Sequence, residues 1–367
     1  MTNHKQPIYH DLHIFLSIAG VLLIIGCLFV YSSSAIFAFE TFGDSHYFLK
    51  RQLLGITLGM VGLLIARFIP ILIVHKLTPF LLFLSLGLTG LTLYKPWAVH
   101  IHGSSRWLKI AGFAFQPSEL LKIAFILYLG YFFSLKNRTK SQFLLLAFIC
   151  ILMSGILLMQ PDFGLTMTLL STVLLLLFIT HTFLMPIFCL VASLIAAAVC
   201  LISMQPYRLQ RITTFLDPWK DPQGKGFQII QSFIAIGSGG WLGNGIAHSK
   251  QKFFYLPMQH TDFIFSIIAE ETGFIGCLLL IALFIAFIYF GIRIACKLKN
   301  SFSTFTIISF VLLMGLQSII NIAVATGLAP TKGIGLPLVS YGNTSLVCTL
   351  TMLGLIINMV HDDHWIV

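Results

Sequence analysis

Four stretches of this 367-residue chain hold side chains that could do chemistry. The first is Arg106-Trp107-Leu108-Lys109, followed by Gln116-Pro117-Ser118-Glu119-Leu120-Leu121-Lys122. Pro117 suits the first position of a helix, where its missing N–H would be unpaired anyway. Glu119 then falls in the first turn, where the helix dipole favours a carboxylate. Lys122 lies three residues on, on the same face. The pair reads either as an ion pair closed on itself or as a functional pair, and ionisable groups inside a membrane span default to the second. The second stretch is Gln160-Pro161-Asp162-Phe163-Gly164, where Asp162 can cap a helix, serve function, or both.

The third stretch runs from Arg208 to Asp262 and ends in Tyr255-Leu256-Pro257-Met258-Gln259-His260-Thr261-Asp262-Phe263. Asp262 immediately precedes a long apolar run, which puts it at a membrane face. A carboxylate there is partly desolvated, its pKa rises, and it becomes a better base than a free Asp at about 3.9. The other reading of Asp262 is a helix N-cap. Glu270 and Glu271 follow inside the same run, and carboxylates at that depth must be paired or face a cavity. The fourth stretch, Gly327 to Gly342, is a Gly/Pro loop containing Pro330-Thr331-Lys332-Gly333 and Ser340-Tyr341. The glycines of the third stretch make no strand–loop–helix phosphate cradle, and no nucleophile elbow or zinc-protease motif occurs. His100-x-His102 lacks a third metal ligand.

The elements that must position these groups are membrane helices. The chain is 57% hydrophobic and 9% charged, against about 25% charged in a soluble domain. The expected fold is all-α, a polytopic membrane protein forming one domain over residues 1–367. About ten spans are expected: Leu12–Phe39, Leu53–Ile69, Pro79–Tyr94, Pro117–Ser134, Phe143–Met159, Phe163–Thr180, Phe183–Met204, Phe263–Phe290, Thr304–Thr326 and Ser345–Val360. Open strand edges cannot face lipid, so the spans are helices. The first run is too long for a signal peptide and reads as a retained span. Cys27, Cys150, Cys189, Cys200, Cys277, Cys296 and Cys348 all fall in or beside apolar runs, as buried thiols rather than disulfides or a zinc site.

Orientation follows from basic residues in short loops. Lys76, the group Lys136, Arg138 and Lys140, and the group Arg293, Lys297 and Lys299 put those loops in the cytoplasm, with both termini. Residues 205–262 then form a long extracytoplasmic loop with an apolar stretch of its own, Phe227–Ile236, and a structured loop of this length is usually functional. The outer side also carries Arg106, Lys109, Arg208, Lys225, Lys332 and other cations. An anionic substrate handled there explains them; for the long loop, tolerance of charge during translocation explains them equally. The net charge of +10 suits anionic headgroups. No soluble basic face exists for nucleic acid.

The four stretches, in this order and spacing, resemble the SEDS family (shape, elongation, division and sporulation) of FtsW/RodA type over nearly the whole chain. The resemblance implies a ten-helix fold and peptidoglycan glycosyltransferase activity on lipid II, a disaccharide–pentapeptide carried on undecaprenyl pyrophosphate. It implies a class B penicillin-binding protein, the transpeptidase, as partner, alongside other division-complex proteins. By position, Asp262 matches the family's essential loop aspartate, Glu119 and Lys122 its polar pair on the fourth helix, and Asp162 its Gln-Pro-Asp carboxylate. Pro330-Thr331-Lys332-Gly333, and Tyr207-Arg208 with Phe215-Leu216-Asp217-Pro218-Trp219, resemble the FtsW division branch. Asn343-Thr344, Met258, Leu165 and Thr272 depart from the usual pattern without removing a proposed catalytic group.

The mechanism so implied is a single displacement with Asp262 as catalytic base. Arg106, Lys109, Glu119, Lys122, Asp162, Arg208, His260 and Lys332 are the candidate substrate-binding groups. Negative charge grows on the leaving pyrophosphate, to be offset by Arg and Lys or by a divalent cation, magnesium or manganese, whose ligands the sequence does not name. No organic cofactor is expected. The expected role is septal cell-wall synthesis, with three alternatives: an elongation-type, RodA-like polymerase; a lipid II flippase, served equally by Glu119, Lys122, Glu270 and Glu271; and a non-catalytic scaffold.

Overall fold

The computed structural model describes residues 6–94, 98–101, 104–110, 113–180, 214–224, 226–253, 256–257, 259–331 and 333–363. Apolar segments too long for a soluble helix form the long helices, because a backbone in hydrocarbon must satisfy its own hydrogen bonds. These are α1 (Gln6–Phe42), α2 (Tyr47–Phe68), α3 (Ile71–Leu91), α4 (Pro117–Ser134), α5 (Lys140–Met159), α6 (Phe163–Ile179), α8 (Ile264–Lys297), α9 (Ser301–Ala325) and α10 (Asn343–Asp362). A shorter helix, α7 (Phe227–Gly239), lies in the long polar segment. Nine of the ten expected spans are helices in the expected places. The expected seventh, 183–204, lies outside the described residues. Among the described helices, seven are long and apolar enough to cross a bilayer. Of the nine long helices, the two that fall short are α6, with 17 residues, and α4, which carries Glu119 and Lys122.

Neighbouring helices run both ways: α1 and α8 are antiparallel, with Asp11 beside Lys297 and Ser32 beside Glu271, and α2 and α10 are parallel, with Gly55 beside Asn343 and Ala66 beside Asn358; charged ends gather at two poles. At one pole Asp11 takes Lys297 Nζ at 2.6 Å and Arg293 Nε at 3.2 Å. There too Asp363 accepts the backbone N–H of Lys299 at 2.9 Å and of Asn300 at 2.7 Å. The opposite pole carries Arg106, Asp162 and Asp262. The interior between them is apolar, with Phe15, Phe125, Phe132, Phe287 and Phe310 fully buried.

Three features depart from the sequence reading. The segment before α4 is a three-stranded antiparallel sheet rather than a plain loop: β1 (Ala98–Ile101), β2 (Ser104–Ile110) and β3 (Phe113–Phe115), in the order β1-β2-β3. Along β2 the side chains alternate between faces. Arg106 and Leu108 share one face, and Lys109 is on the other.

The second departure is in α8, which reads from sequence as one uninterrupted span. It is broken at Gly273, whose φ of 67° and ψ of −165° are not helical. The freed groups are taken up by the turn after α7: Asn244 N donates to Glu270 O, Gly245 N to Glu271 O, and Phe274 N to Gly240 O. A side chain at Gly273 would collide with the backbone of that turn, 2.3 Å from Gly243 N. Residues 264–272 are therefore a half-helix, paired with α7 through Ser232 and Ser266, whose hydroxyls meet at 2.6 Å. The third departure is the 327–342 segment, which is drawn into the protein. Ile334, Leu336, Leu338 and Val339 are buried there as core residues.

Candidate active site

The site is built on two backbone clamps. The first holds the loop that ends at Asp262. Asn321, a buried amide in the apolar α9, donates from Nδ2 to Asp262 O and to Ile334 O, both at 2.8 Å. Ser340 Oγ donates to Thr261 O at 2.6 Å and accepts from Leu336 N at 2.7 Å. Tyr341 N donates to His260 O at 3.0 Å. Each residue from His260 to Asp262 is thus fixed through its carbonyl to α9 or the 333–342 loop.

The second clamp is Arg106. Its Nε donates to Gln160 O at 3.1 Å, its Nη2 to Pro161 O at 2.6 Å, and its Nη1 lies 3.6 Å from Asp162 Oδ2. Gln160 is itself tied to the end of α3, through Thr89 O at 2.7 Å and Thr92 Oγ1 at 2.5 Å. One guanidinium so joins the sheet to the α5–α6 turn. Asp162 does both things its position allows: it caps α6 by accepting Leu165 N at 3.2 Å, and it faces Arg106. Burial pushes the Asp162 carboxyl up from its ordinary range, and the Arg106 charge pulls it back.

The clamps meet at Gly333. A methyl group built there would lie 3.7 Å from both Arg106 Nη1 and Asp262 Oδ2. The cation and the carboxylate oxygen therefore lie no more than twice that distance apart, with an uncluttered backbone beside both. Asp262 does not cap α8. Phe263 holds that position, with no side-chain cap bond. The N-cap reading therefore does not account for Asp262.

Glu119 and Lys122 form an ion pair at 2.6 Å on the first turn of α4. Both are turned inward, their side chains 12% and 6% exposed, so neither faces lipid. Their charges act on Asp162. Lys122 borders a cavity whose other walls, such as Phe310, Met314 and Met352, are mainly apolar, not the polar cavity a charged pair suggests.

The chain can now be set beside known proteins. The FtsW/RodA/SpoVE family model, described as "Cell cycle protein", matches residues 12–364. This chain belongs to that family. It is similar to a "Probable peptidoglycan glycosyltransferase FtsW" of Trichlorobacter lovleyi, 40% identical over 95% of this chain and 93% of the relative. It is similar also to "Stage V sporulation protein E" of Bacillus subtilis, 37% identical over 92% and 94%. A solved chain from "Structural coordination of polymerization and crosslinking by a peptidoglycan synthase complex" aligns with a TM-score of 0.76 at 29% identity, covering 95% and 97%. Thermus thermophilus RodA shares the fold, with a TM-score of 0.71 at 24% identity over 95% and 96%. The FtsW branch that Thr331-Lys332 suggests is the branch these relatives support.

Within the family frame, the remaining candidate residues sort by place. His260 is buried among rings, its centroid 4.4 Å from Phe48, 5.7 Å from Tyr341 and 6.1 Å from Phe37. Burial pushes its pKa down to about 4, so it is neutral near pH 7. Lys109 is exposed on the face of β2 opposite Arg106, and is not brought to the cluster. Arg208 and Lys332 lie outside the described residues. Among the described residues no three acidic, His or Cys side chains converge as a metal's ligands would. Arg106 supplies positive charge beside Asp162. Sequence reasoning missed Asn321, Ser340 and Gln160 as positioning groups. For Asn321 the signal was there: a polar side chain inside an apolar span is costly without a reason.

Proposed function

We propose that this protein is a lipid II-dependent peptidoglycan glycosyltransferase of the cytoplasmic membrane, with Asp262 as its base. The observation that carries the reading is the convergence of Asp262 Oδ2 and Arg106 Nη1 on the open flank of Gly333. A glycosyl transfer from a pyrophosphate needs a base for the attacking hydroxyl and a cation for the departing oxygens. Asp262 takes the proton from the 4-hydroxyl of the acceptor sugar as that oxygen bonds to the anomeric carbon of the donor strand. The bond from that carbon to the pyrophosphate oxygen breaks, and undecaprenyl pyrophosphate leaves with the electron pair. Arg106 offsets the new charge; the Glu119–Lys122 pair and Asp162 set the field around it. Arg208, His260 and Lys332 remain candidates for holding substrate. Both substrate tails stay in the bilayer, which restricts the reactants' freedom and aids alignment. A magnesium or manganese ion, if used, would take much of its ligation from the substrate's own pyrophosphate.

The reading places the Asp262 pole outside the cytoplasmic membrane and both termini inside. The likeness to a chain from a peptidoglycan synthase complex supports a class B penicillin-binding protein as partner, and the FtsW branch supports a septal role. Against the flippase rival, Glu270 and Glu271 are engaged by the protein itself, and Glu119 and Lys122 are paired with each other. The test is incubation of the purified protein, with and without its transpeptidase, with labelled lipid II, followed by gel separation of glycan strands. Polymer is the expected result. Its absence under both conditions would leave the flippase and the scaffold.

A further inference from the structure

Four polar atoms with no partner among the described residues gather where the first turns of α2 meet the 333–342 loop and the start of α10. They are Gln52 Nε2, Gln52 Oε1, Asn343 Oδ1 and His260 Nδ1. Gln52 is fully buried. One helical turn before it is Phe48, whose ring lies 4.4 Å from His260 and 5.1 Å from Tyr341. About one turn after it is Gly55, where a methyl group would lie 3.1 Å from Asn343 Oδ1. Phe48, Gln52 and Gly55 share one face of α2. The Gln52 amide is therefore directed into the seam that His260, Tyr341 and Asn343 close from the other side. Arg51 and Asn343 flank the Tyr341 hydroxyl at the mouth of the seam.

Buried polar groups in native proteins are nearly always paired, and an unpaired one is costly. Four in one seam call for an occupant. The seam's unpaired groups are uncharged, so a neutral polar occupant matches them without burying a net charge. Gln52 offers an N–H donor and a carbonyl acceptor side by side. The group that matches both at once is a secondary amide. Phe37, Phe48 and Tyr341 add apolar surface suited to a methyl group. Both sugars of peptidoglycan carry that combination, as the 2-acetamido substituent.

We propose that the Gln52–His260–Asn343 seam is a subsite for the acetamido group of a substrate sugar. The proposal rests on the glycosyltransferase reading above but is tested by binding, which does not depend on turnover. The full-length protein is titrated with lipid II and with an analogue bearing hydroxyls in place of both acetamido groups. Wild type is expected to bind lipid II roughly tenfold more tightly than the analogue, the scale of one or two neutral hydrogen bonds. Gln52→Leu, similar in size and unable to hydrogen-bond, should lose that preference and weaken lipid II binding to the analogue's level. Asn343→Ala, at the mouth, should show a smaller loss and serves if Gln52→Leu does not fold. A Gln52→Leu protein that keeps the wild-type preference would overturn the proposal, as would a wild type that binds both ligands alike; an ordered water would then be the better occupant. An analogue lacking the stem peptide should bind Gln52→Leu about tenfold more weakly than wild type. If removing the peptide cancels that difference, the sugar assignment is wrong. Failure to polymerise lipid II would strike the catalytic reading and leave this binding result standing on its own.

Discussion

Glu270 and Glu271 on the half-helix of α8, and Asp262 just before it, are acids eight or nine residues apart that are held in opposite ways. Glu270 accepts Lys250 N at 2.8 Å, Gln251 N at 3.3 Å and the Ser249 hydroxyl. Glu271 accepts Ser32 Oγ at 2.6 Å and lies 3.4 Å from both Ser249 N and Lys252 Nζ. Their carboxylates are filled by the protein, and they lash the 249–252 segment and α1 to the broken helix. At Asp262 the clamp grips the backbone: Asn321 binds its carbonyl, while Oδ2 is turned toward Gly333 and Arg106. Burial alone does not mark a catalytic acid. The glutamates accept donors that fasten the 249–252 segment and α1, whereas at Asp262 the peptide itself is held by Asn321 and the carboxylate lies beside Gly333.

That contrast can be broken or sharpened by mutation. The largest effect is expected at Asp262. Asp262→Asn should lower lipid II polymerisation ~10²–10⁴-fold, the usual worth of a general base, with detergent thermal stability near wild type. Next is Arg106→Ala. It removes the cation beside the leaving group and should lower the rate ~10²–10³-fold. Because it also frees Gln160 and Pro161, thermal stability should fall measurably. Glu271→Ala should reverse the balance. It leaves Lys252, 6% exposed, without its buried partner, at a cost of about 3–5 kcal/mol in stability, read as a drop in the melting midpoint. Activity per folded molecule should change far less than in Asp262→Asn.

The smallest effect is a pH dependence at His260. Its folded pKa of about 4 lies below the ordinary 6.5. As pH falls below 6.5 the unfolded chain takes up the proton first. The His260 contribution to stability is therefore complete above pH 6.5 and is lost progressively toward pH 4. His260→Gln should flatten that part of the melting-midpoint profile, and an unchanged profile would contradict the burial argument.

Much of this fold was legible in the sequence, for reasons that also explain what was not. Lipid demands long apolar runs, so the helices around Phe15, Leu146 and Phe310 announced themselves. The Pro117 start of α4 followed from proline chemistry and is where the helix begins. The break at Gly273 was hidden because its freed backbone groups are met by residues 240–245, some thirty positions earlier, and hydropathy does not register such pairing. Arg106 was visible as a misplaced cation, yet its grip on Gln160 and Pro161 spans more than fifty residues and depends on the sheet. Lys109 looked equivalent to it by charge. Strand alternation, which appears only once the segment is known to be β, separates the two.

The central claim is that one acid reacts while its neighbours hold the scaffold. It is tested most directly by measuring glycan polymerised from labelled lipid II per folded molecule, for Asp262→Asn and Glu271→Gln side by side with wild type, each with the transpeptidase. The account predicts that the Asp262→Asn protein, folded and stable, makes at least about a hundredfold less polymer. The Glu271→Gln protein, less stable, should work at close to the wild-type rate wherever it remains folded. Near-normal polymer from folded Asp262→Asn, or an equal loss in folded Glu271→Gln, would contradict it.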